Sequence, residues 1–370
     1  MTPAAPKNPL SLPRDFLVAR KNLRDCRFQT ATTPDHSELK AGEVLLAVDK
    51  FAFTANNISY AVFGETMSYW NFFTAPDGWG RIPVWGFAEV LASRHAEVRE
   101  GERVFGYLPM STHLRFPVGR VSANGFSDGS AHRAKLSPVY NHLARVLRDP
   151  GYFPARENEQ ALLRPLFMTS FLIEDFLADQ QLFGAEQVLL SSASSKTALG
   201  AAFLLRRNRR AEVIGLTSPG NVEFCKRSGC YDRVLAYEQM KTLSSLRPTV
   251  YVDMAGTGSL LHDVHHHFGA QLRYSCLVGG THWKEREAQS SLPGAKPEFF
   301  FAPAQLKKRQ QDWGAGGVDE RYAEAWRPFL LSVGSWMRIV HQRGDVAVDK
   351  VYREVLEGRC PADVGHMLSL

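Results

Sequence analysis

VLLSSASSKTALGAA, residues 188–202, is the segment that decides the fold of the second half of the chain. A short apolar strand runs into a cluster of small residues, and a helix then begins at Lys196 and Thr197. Two phosphate-binding devices share this outline, the P-loop of nucleoside triphosphatases and the turn that holds the pyrophosphate of a dinucleotide. Both normally contain glycine, whereas this turn has serine and alanine instead.

The P-loop interpretation fails on the positions of its glycines. The pattern G-x-x-x-x-G-K-[ST] ends on a lysine and a hydroxyl residue. If these are Lys196 and Thr197, the glycine positions hold Leu190 and Ser195. Leu190 is also the last residue of the predicted strand. We therefore set aside a P-loop nucleotide hydrolase and expect no tight binding of Mg²⁺-ATP.

A dinucleotide-binding turn needs a small residue at each of three positions, and Ser192, Ser195 and Ala198 supply them. Because serine has less φ freedom than glycine, we predict a turn built from ordinary backbone dihedrals. Hydroxyls and one charge gather at a helix N-terminus, which favours an anion. The alternative is a packed turn without a ligand. The predicted cofactor contacts are Ser192, Ser194, Ser195, Lys196 and Thr197.

The surrounding pattern predicts two kinds of domain. Apolar strands near residues 188, 213, 234, 251 and 275 alternate with helical segments, which is typical of a doubly wound parallel sheet. In contrast, GEVLLAVDKFAF (42–53) alternates apolar and polar residues, and GERVFGYLPM (101–110) again places a strand after a turn. These segments predict an antiparallel, barrel-like domain. The aromatic-rich residues 60–80 contain too much glycine and proline for a regular element.

The end of the second parallel strand favours NADPH over NADH. Dinucleotide folds that prefer NAD carry an acid there, whereas GLTSPGN (215–221) has none before Glu223. Thr217, Ser218 and Asn221 are predicted to donate hydrogen bonds to a 2′-phosphate instead. We interpret Lys226 as a surface lysine rather than a phosphate ligand.

In their order and spacing, these motifs resemble the medium-chain dehydrogenase/reductase superfamily, in particular its zinc-independent quinone- and enoyl-reductase-like members. The resemblance covers most of residues 40–280, including LLRPLFMTSFL (162–172) before the nucleotide-binding part. It implies a GroES-like antiparallel β-barrel domain (1–155), a Rossmann doubly wound parallel-sheet domain (156–325) and a C-terminal return to the first domain (326–370). It also implies a site in the cleft between the domains and a homodimer.

The resemblance further implies site residues outside the turn. Zinc-dependent relatives carry Cys and His where this chain has FTANNIS (53–59) and PVWGFAEV (83–90), so we predict no metal. The histidines at 262, 265, 266 and 267 are interpreted as a solvated helix face. The candidate catalytic residues are Tyr69, Asn57 and His282, with Tyr60 as a second tyrosine in the same region. Further cofactor contacts are Thr169, Gly256, Gly279 and Thr281.

The role of the aromatic residues between positions 69 and 85 stays open at this point. They suit a flat apolar substrate pocket, barrel core or a dimer surface equally well. These residues are Tyr69, Trp70, Phe72, Phe73, Trp79 and Trp85.

The composition limits which kinds of partner the protein can have. The 370 residues are 44% hydrophobic and 22% charged, which is typical of a globular protein. We predict a cytoplasmic protein without a membrane partner, because the sequence shows neither a bilayer-spanning stretch nor a secretory signal. Five scattered cysteines indicate reduced thiols. The net charge of +6 and the basic clusters at 206–210 and 307–309 lack the aromatic stripe of a nucleic-acid site.

The sequence therefore predicts an NADPH-dependent, zinc-independent oxidoreductase that reduces an activated C=C or carbonyl group of an apolar substrate of quinone, enone or enoyl type. The alternative is a non-catalytic NADPH-binding sensor or scaffold protein of the same fold.

Overall fold

The computed structural model describes residues 13–30, 36–208, 211–278 and 292–370. The chain divides into two compact units, one of residues 1–162 with 338–370 and one of residues 163–337. The sequence placed the corresponding boundaries at 155/156 and 325/326. Within the described stretches, no helix has the length and apolar character needed to cross a bilayer.

The strands are β1 (Arg14–Ala19), β2 (Asn22–Thr30), β3 (Glu43–Phe53), β4 (Trp79–Gly80), β5 (Pro83–Ser93), β6 (Arg103–Pro109), β7 (His113–Ser122), β8 (Gly125–Asp128), β9 (His142–Arg145), β10 (Gln187–Leu190), β11 (Glu212–Thr217), β12 (Arg233–Ala236), β13 (Thr249–Asp253), β14 (Leu272–Leu277), β15 (Pro297–Phe299), β16 (Arg338–Arg343) and β17 (Val364–Ser369). The helices are α1 (Ala55–Val62), α2 (Glu157–Asp179), α3 (Lys196–Arg207), α4 (Val222–Ser228), α5 (Gly258–Phe268), α6 (Ala302–Ser332) and α7 (Asp345–Leu356).

Six antiparallel strands close into a barrel in the first unit. Their order is β3-β5-β6-β9-β8-β7, and β7 pairs back with β3. Alternate side chains of β3, such as Val44 and Leu46, are fully buried in its core. The C-terminal β16 and β17 are parallel to each other and extend the sheet through the pairing of β17 with β3. This architecture confirms the predicted GroES-like barrel.

The second unit contains a parallel sheet in the order β12-β11-β10-β13-β14-β15. All five pairings are parallel, and every residue of β10 and β13 is buried. The order is that of a doubly wound dinucleotide-binding sheet. In such sheets the ligand crevice lies where the strand order reverses, which here is between β10 and β13. This confirms the predicted Rossmann fold.

Two local elements differ from the sequence predictions. The aromatic-rich segment begins inside α1, which Thr54 and Asn57 cap. The segment between β12 and β13, one of the helical segments that the alternating pattern predicts, forms only a 3₁₀-helix over Tyr237–Thr242. A Thr and two Ser in this segment favour local hydrogen bonds over a continued α-helix.

One polar network anchors the start of α2 in the first unit. The Arg103 guanidinium contacts both carboxylate oxygens of Glu157, at 2.6 and 2.7 Å. Lys50 Nζ lies 2.9 Å from the same carboxylate, and the Tyr152 hydroxyl donates to it at 2.8 Å. Burial would raise the pKa of Glu157, but the hydrogen bonds from Arg103, Lys50 and Tyr152 outweigh it and lower the pKa to about 2. The network therefore ties β3 and β6 to α2.

We expect Glu157→Gln to lower the free energy of unfolding by roughly 3 kcal/mol at neutral pH, because Arg103 and Lys50 then lose their buried partner. A carboxyl group with a depressed folded-state pKa stabilises fully above its ordinary value of 4.5, and this stabilisation is lost as the pH falls toward 2. The wild type should therefore lose stability over that interval more steeply than the variant.

Urea unfolding at a series of pH values, followed by tryptophan fluorescence, measures both effects. Glu223→Gln is the control, because Glu223 is exposed and forms only a surface pair with Lys226. Equal stabilities for the wild type and Glu157→Gln would show that the network does not stabilise the fold.

Candidate functional site

A hydrogen-bond network ties the carboxyl ends of β10 and β13 in the second unit. Ser191, directly after β10, donates from Oγ to Asp253 Oδ1 at 2.7 Å. The same Oγ accepts from the backbone N–H groups of Met254 and Ala255, at 2.8 and 2.9 Å. Because the strand order reverses between these two strands, the network lies at the expected ligand crevice.

The turn itself contains a residue in the left-handed region. Ser192 has a φ of +49°, so the prediction of ordinary dihedrals is wrong. An L-residue in this conformation costs about 1–2 kcal/mol, which glycine avoids. Contacts hold Ser192 in place: its N–H donates to the Tyr237 hydroxyl at 3.2 Å, and its carbonyl accepts from Ser195 N at 2.8 Å. The tight turn after β10 requires a positive φ whichever residue supplies it.

Close packing beneath the turn depends on Gly215 of β11. Ala193 N donates to the carbonyl of Leu216 at 2.9 Å, and the Tyr231 hydroxyl donates to Ala193 O at 2.7 Å. A Cβ on Gly215 would lie 2.8 Å from the Cβ of Ala193. A glycine on the neighbouring strand thus provides the space that the turn needs.

The N-terminus of α3 has the features of an anion site. Ser195 is the N-cap residue, and its Oγ accepts from Ala198 N at 3.2 Å. The first backbone N–H groups of a helix lack intrahelical acceptors and favour negative charge. Ser194, Lys196 and Thr197 are all half-buried at this helix end.

Helix α2 packs against this end of α3. Ser170 Oγ donates to Thr197 O at 2.7 Å, and a Cβ on Gly200 would lie 2.6 Å from the same Oγ. Thr169 precedes Ser170 and is half-buried. The role of Thr169 as a cofactor contact stays a prediction.

Asn221 connects the turn to the end of β11. Its Nδ2 donates to Ser194 Oγ at 3.2 Å and to Ser218 Oγ at 3.1 Å. Thr217 is buried and interacts with the thiol of Cys225. Lys226 Nζ pairs with Glu223 at 2.8 Å, in agreement with a surface lysine. Ser194, Ser218 and Asn221 therefore form one group of polar side chains.

Asp253, at this edge of the sheet, forms its hydrogen bonds to described residues through only one of its two carboxylate oxygens. Its Oδ1 accepts from Ser191 and also from Gly256 N at 3.1 Å, and Gly256 has a φ of +68°. Its Oδ2 is buried and has no hydrogen-bond partner among the residues that the structure describes. Three predicted site residues, Gly279, Thr281 and His282, lie outside the described residues.

The first unit contains a group of seven packed rings, termed here the aromatic cluster. Ring centroids lie 4.7 Å apart for Tyr60 and Tyr69, and 4.6 Å apart for Tyr107 and Tyr140. The members are Tyr60, Tyr69, Phe72, Phe73, Trp85, Tyr107 and Tyr140. Of the six aromatics left open by the sequence, Tyr69, Phe72, Phe73 and Trp85 belong to it. Trp70 is instead barrel core, and Trp79 lies under the Arg27 guanidinium at 4.1 Å.

Burial raises the pKa of three hydroxyl groups in this cluster, those of Tyr60, Tyr107 and Tyr140, so they remain protonated at neutral pH. Burial raises the pKa of Tyr60 to about 12, although a hydrogen bond from Trp85 Nε1 at 3.3 Å opposes the shift. Burial likewise raises the pKa of Tyr140, whose hydroxyl interacts with those of Tyr60 and Tyr69. These phenols therefore retain the proton that a hydrogen-bond donor needs, and neighbouring Tyr69 is half-buried.

Asn57 has its polar atoms occupied within the fold. Its Oδ1 accepts from Thr54 N at 2.8 Å, and its Nδ2 donates to the carbonyl of Pro83 at 2.9 Å. Its exposed fraction is 3%. The observed role of Asn57 is to cap α1, and a catalytic role for it stays a prediction.

The histidines of α5 differ from one another. His262 and His266 are exposed and stack at 3.8 Å, whereas His265 is fully buried between Pro293 O and Ser275 Oγ. The interpretation as a wholly solvated face is wrong for His265, because the buried positions of α5 at 261, 264, 265 and 268 follow helical spacing. Among the described residues, no group of three or more His, Cys, Asp or Glu is arranged to hold a metal ion.

Sequence reasoning missed several residues of both regions. In the second unit these are Ser191, Gly215, Tyr231, Tyr237 and Asp253. Asp253 carried a usable signal, because a polar residue at the carboxyl end of a buried parallel strand lies at the ligand edge. In the first unit, Tyr107 and Tyr140 reach the aromatic cluster from distant strands and loops, so no local pattern identifies them.

A family model described as "Protein of unknown function (DUF2855)" matches residues 51–361. No curated protein matches the chain. Three solved structures are similar over 96–97% of this chain and 98–99% of their own. They are the CurF ER cyclopropanase from the curacin A biosynthetic pathway (16% identity, TM-score 0.61), CurA from Vibrio vulnificus in complex with NADPH (13%, 0.59) and a putative NADPH:quinone reductase from Bacillus thuringiensis (12%, 0.56). The likeness confirms the predicted fold, that of the medium-chain dehydrogenase/reductase superfamily.

We expect Ser192→Gly to be more stable than Ser192→Ala by about 1 kcal/mol, because only glycine adopts a positive φ without strain. At neighbouring Ser194, whose φ is not positive, the order should reverse, since glycine there only adds flexibility to the unfolded chain. Urea unfolding of the four variants measures both differences. If alanine is the more stable residue at both positions, Ser192 does not have the left-handed conformation in solution.

Proposed function

The chain belongs to the family described as "Protein of unknown function (DUF2855)", and from its own site we propose that it is an NADPH-dependent oxidoreductase. The proposed reaction reduces an activated C=C or carbonyl group of an apolar substrate, of quinone, enone or enoyl type, without zinc. One observation carries the proposal: a small-residue turn and the N-terminus of α3 lie where the parallel sheet reverses its strand order.

The polar groups around the turn fit a phosphorylated dinucleotide. Ser194, Ser218 and Asn221 are already joined by hydrogen bonds, so their donors are held in place before a ligand binds. The segment 217–221 has no carboxylate to repel a 2′-phosphate. Glu223 nearby is neutralised by Lys226. Two of the similar structures are described with NADPH, which agrees with this proposal.

When bound, NADPH supplies a hydride, and the chain must bind the acceptor and provide a proton. Tyr69 is the proposed donor, because its half-buried phenol borders the hydroxyls of Tyr60 and Tyr140. Tyr69 would supply the proton that, together with the hydride from NADPH, completes the reduction of the C=C or C=O bond. His282 remains a proposed second donor, and Gly279 and Thr281 remain proposed cofactor contacts.

The proposal that no zinc takes part rests on the residues at the positions where zinc-dependent relatives bind it. Residues 53–59 and 83–90 contain neither cysteine nor histidine. A catalytic zinc needs three protein ligands of this kind. Incubation with a chelator should therefore leave the reductase rate unchanged, and a loss that zinc restores would contradict this part of the proposal.

The second candidate function is a non-catalytic NADPH-binding sensor or scaffold. The burial and full hydrogen bonding of Asn57 favour it, because one of the predicted catalytic groups is then withdrawn from a substrate. NADPH binding without turnover of any quinone, enone or enoyl thioester would support this candidate.

We further propose a homodimer. Strand β15 forms the edge of the parallel sheet, and Phe299 and Phe301 at this edge are 49% and 58% exposed. Exposed sheet edges with apolar side chains favour pairing with another chain. Light scattering should give twice the chain mass of 41.4 kDa.

Titration with NADPH and NADH, followed by tryptophan fluorescence, tests the cofactor. We expect clear preference for NADPH, and Lys196→Ala should weaken its binding by roughly 1–3 kcal/mol through loss of a charge-assisted contact. Lys350→Ala, at an exposed position of α7 in the first unit, is the control and should bind like the wild type. Failure of both nucleotides to bind would remove the basis of the proposed function.

Tyr69→Phe tests the proton donor. With an accepted quinone or enone, we expect the turnover rate to fall roughly 10²–10⁴-fold while NADPH affinity stays unchanged. Tyr274→Phe, in the second unit, serves as the control for loss of a phenol. A variant with wild-type turnover would show that another group supplies the proton.

A further inference from the structure

The loop between β8 and β9 inserts a buried arginine beside the aromatic cluster. Arg133 has an exposed fraction of 2%, and its Nη1 lies 3.2 Å from the carboxylate of Asp128. Its Nε donates to the carbonyl of Phe72 at 2.8 Å. Its guanidinium carbon lies 4.5 Å from the ring centroid of Phe73 and 5.5 Å from that of Phe72. Arg133 thus has a fixed position against the rings.

Two hydrogen-bond donors in this region have no acceptor among the residues that the structure describes. They are Nη2 of Arg133 and the hydroxyl of Tyr107, and both are buried. Tyr107 is 1% exposed and packs on the same two phenylalanines, with ring centroids 5.3 Å from Phe72 and 6.2 Å from Phe73. A buried polar group without a partner costs about 1–3 kcal/mol. Two such donors against the same rings therefore call for a shared acceptor.

The charges around these donors indicate which acceptor fits. The Asp128 carboxylate already neutralises the Arg133 guanidinium, and it would repel a second anion. A neutral oxygen with free lone pairs, such as a conjugated carbonyl, meets both donors without adding charge. The surrounding rings offer flat apolar surfaces, and Tyr69, Trp85 and Tyr140 at the rim are half-buried.

We propose that Tyr107 and Arg133 form a two-donor subsite that binds the carbonyl oxygen of a flat conjugated substrate inside the aromatic cluster. The subsite deepens the proposed function, on which it rests, by naming the residues that select the substrate. Tyr69 lies in the same cluster, with its ring centroid 6.5 Å from that of Phe72. The proposed proton donor and the carbonyl-binding donors thus all pack within or against the same cluster of rings.

The variant Tyr107→Phe removes the proposed ligand contact without removing a hydrogen bond that stabilises the fold. The hydroxyl that it removes has no partner within the described protein, so its loss should leave the unfolding midpoint unchanged or raise it. Tyr60→Phe is the contrasting variant, because it removes the acceptor of the Trp85 indole N–H. Arg133→Lys retains the charge opposite Asp128 but lacks the planar fork that places Nη2.

Calorimetric titration without NADPH provides the readout. The probes are 2,3-dimethyl-1,4-naphthoquinone, whose substituted ring resists thiol addition, and 2,3-dimethylnaphthalene, which has the same shape but no oxygen. We expect Tyr107→Phe and Arg133→Lys each to bind the quinone about 10-fold more weakly, the effect of one lost hydrogen bond. Binding of the hydrocarbon should not change in either variant.

Quinone affinity that is unchanged in Tyr107→Phe, or a wild type that does not bind the quinone, overturns the subsite. Equal weakening of the quinone and the hydrocarbon also overturns it, because the change is then a general loss of packing. The outcome is separable from that of the proposed function, since no step of the titration involves the nucleotide. If the wild type binds the quinone through Tyr107 but does not bind NADPH, the proposed subsite is supported. The proposed reductase function is then contradicted.

Discussion

The chain must reverse direction sharply between β10 and α3, and the second unit is organised around that constraint. Without glycine in the turn, Ser192 takes the left-handed conformation and three neighbours hold it there. Tyr237 accepts its N–H, Gly215 leaves room for Ala193, and Ser191 fastens the end of the strand to Asp253. These contacts come from separate parts of the second unit: from β11, from the 3₁₀-helix after β12 and from the end of β13. The left-handed conformation of Ser192, which directs the chain into α3, is therefore a property of the assembled sheet and not of the loop sequence.

In the first unit, the corresponding constraint is that buried polar groups need hydrogen-bond partners. Asn57, Tyr60 and Trp85 have internal partners, and their polar groups support the fold. Tyr107 and Arg133 are almost fully buried, yet each retains a donor that has no partner in the described part of the chain. A fold does not normally retain such groups without an occupant or a function. The proposed subsite rests on this difference: the hydrogen bonds of Asn57, Tyr60 and Trp85 support the fold, whereas the unsatisfied donors of Tyr107 and Arg133 are the proposed ligand contacts.

Two of the predicted cofactor contacts, Ser195 and Asn221, also show why prediction of the site was incomplete. Ser195 was predicted as a small residue of the turn, and the structure shows that it is also the N-cap of α3. Asn221 was chosen as a donor at the strand end, and its amide bridges Ser194 and Ser218. Tyr237 and Gly215 escaped notice, because their importance comes from contacts with residues more than twenty positions away. His265 was misjudged for a related reason, since one of four neighbouring histidines faces the sheet.

The sequence by itself determined the alternation of strands and helices, the barrel-like first half and the small-residue turn, because hydrophobic periodicity and turn chemistry act over short stretches of chain. Its order of motifs was also sufficient to indicate the superfamily fold. Only the tertiary structure decided the dihedral angle of Ser192, the internal role of Asn57 and the grouping of Tyr69, Tyr107 and Arg133. Those features depend on which distant side chains meet in space. Only in the packed interior does an unpaired polar group become costly and a hydrogen bond become strong.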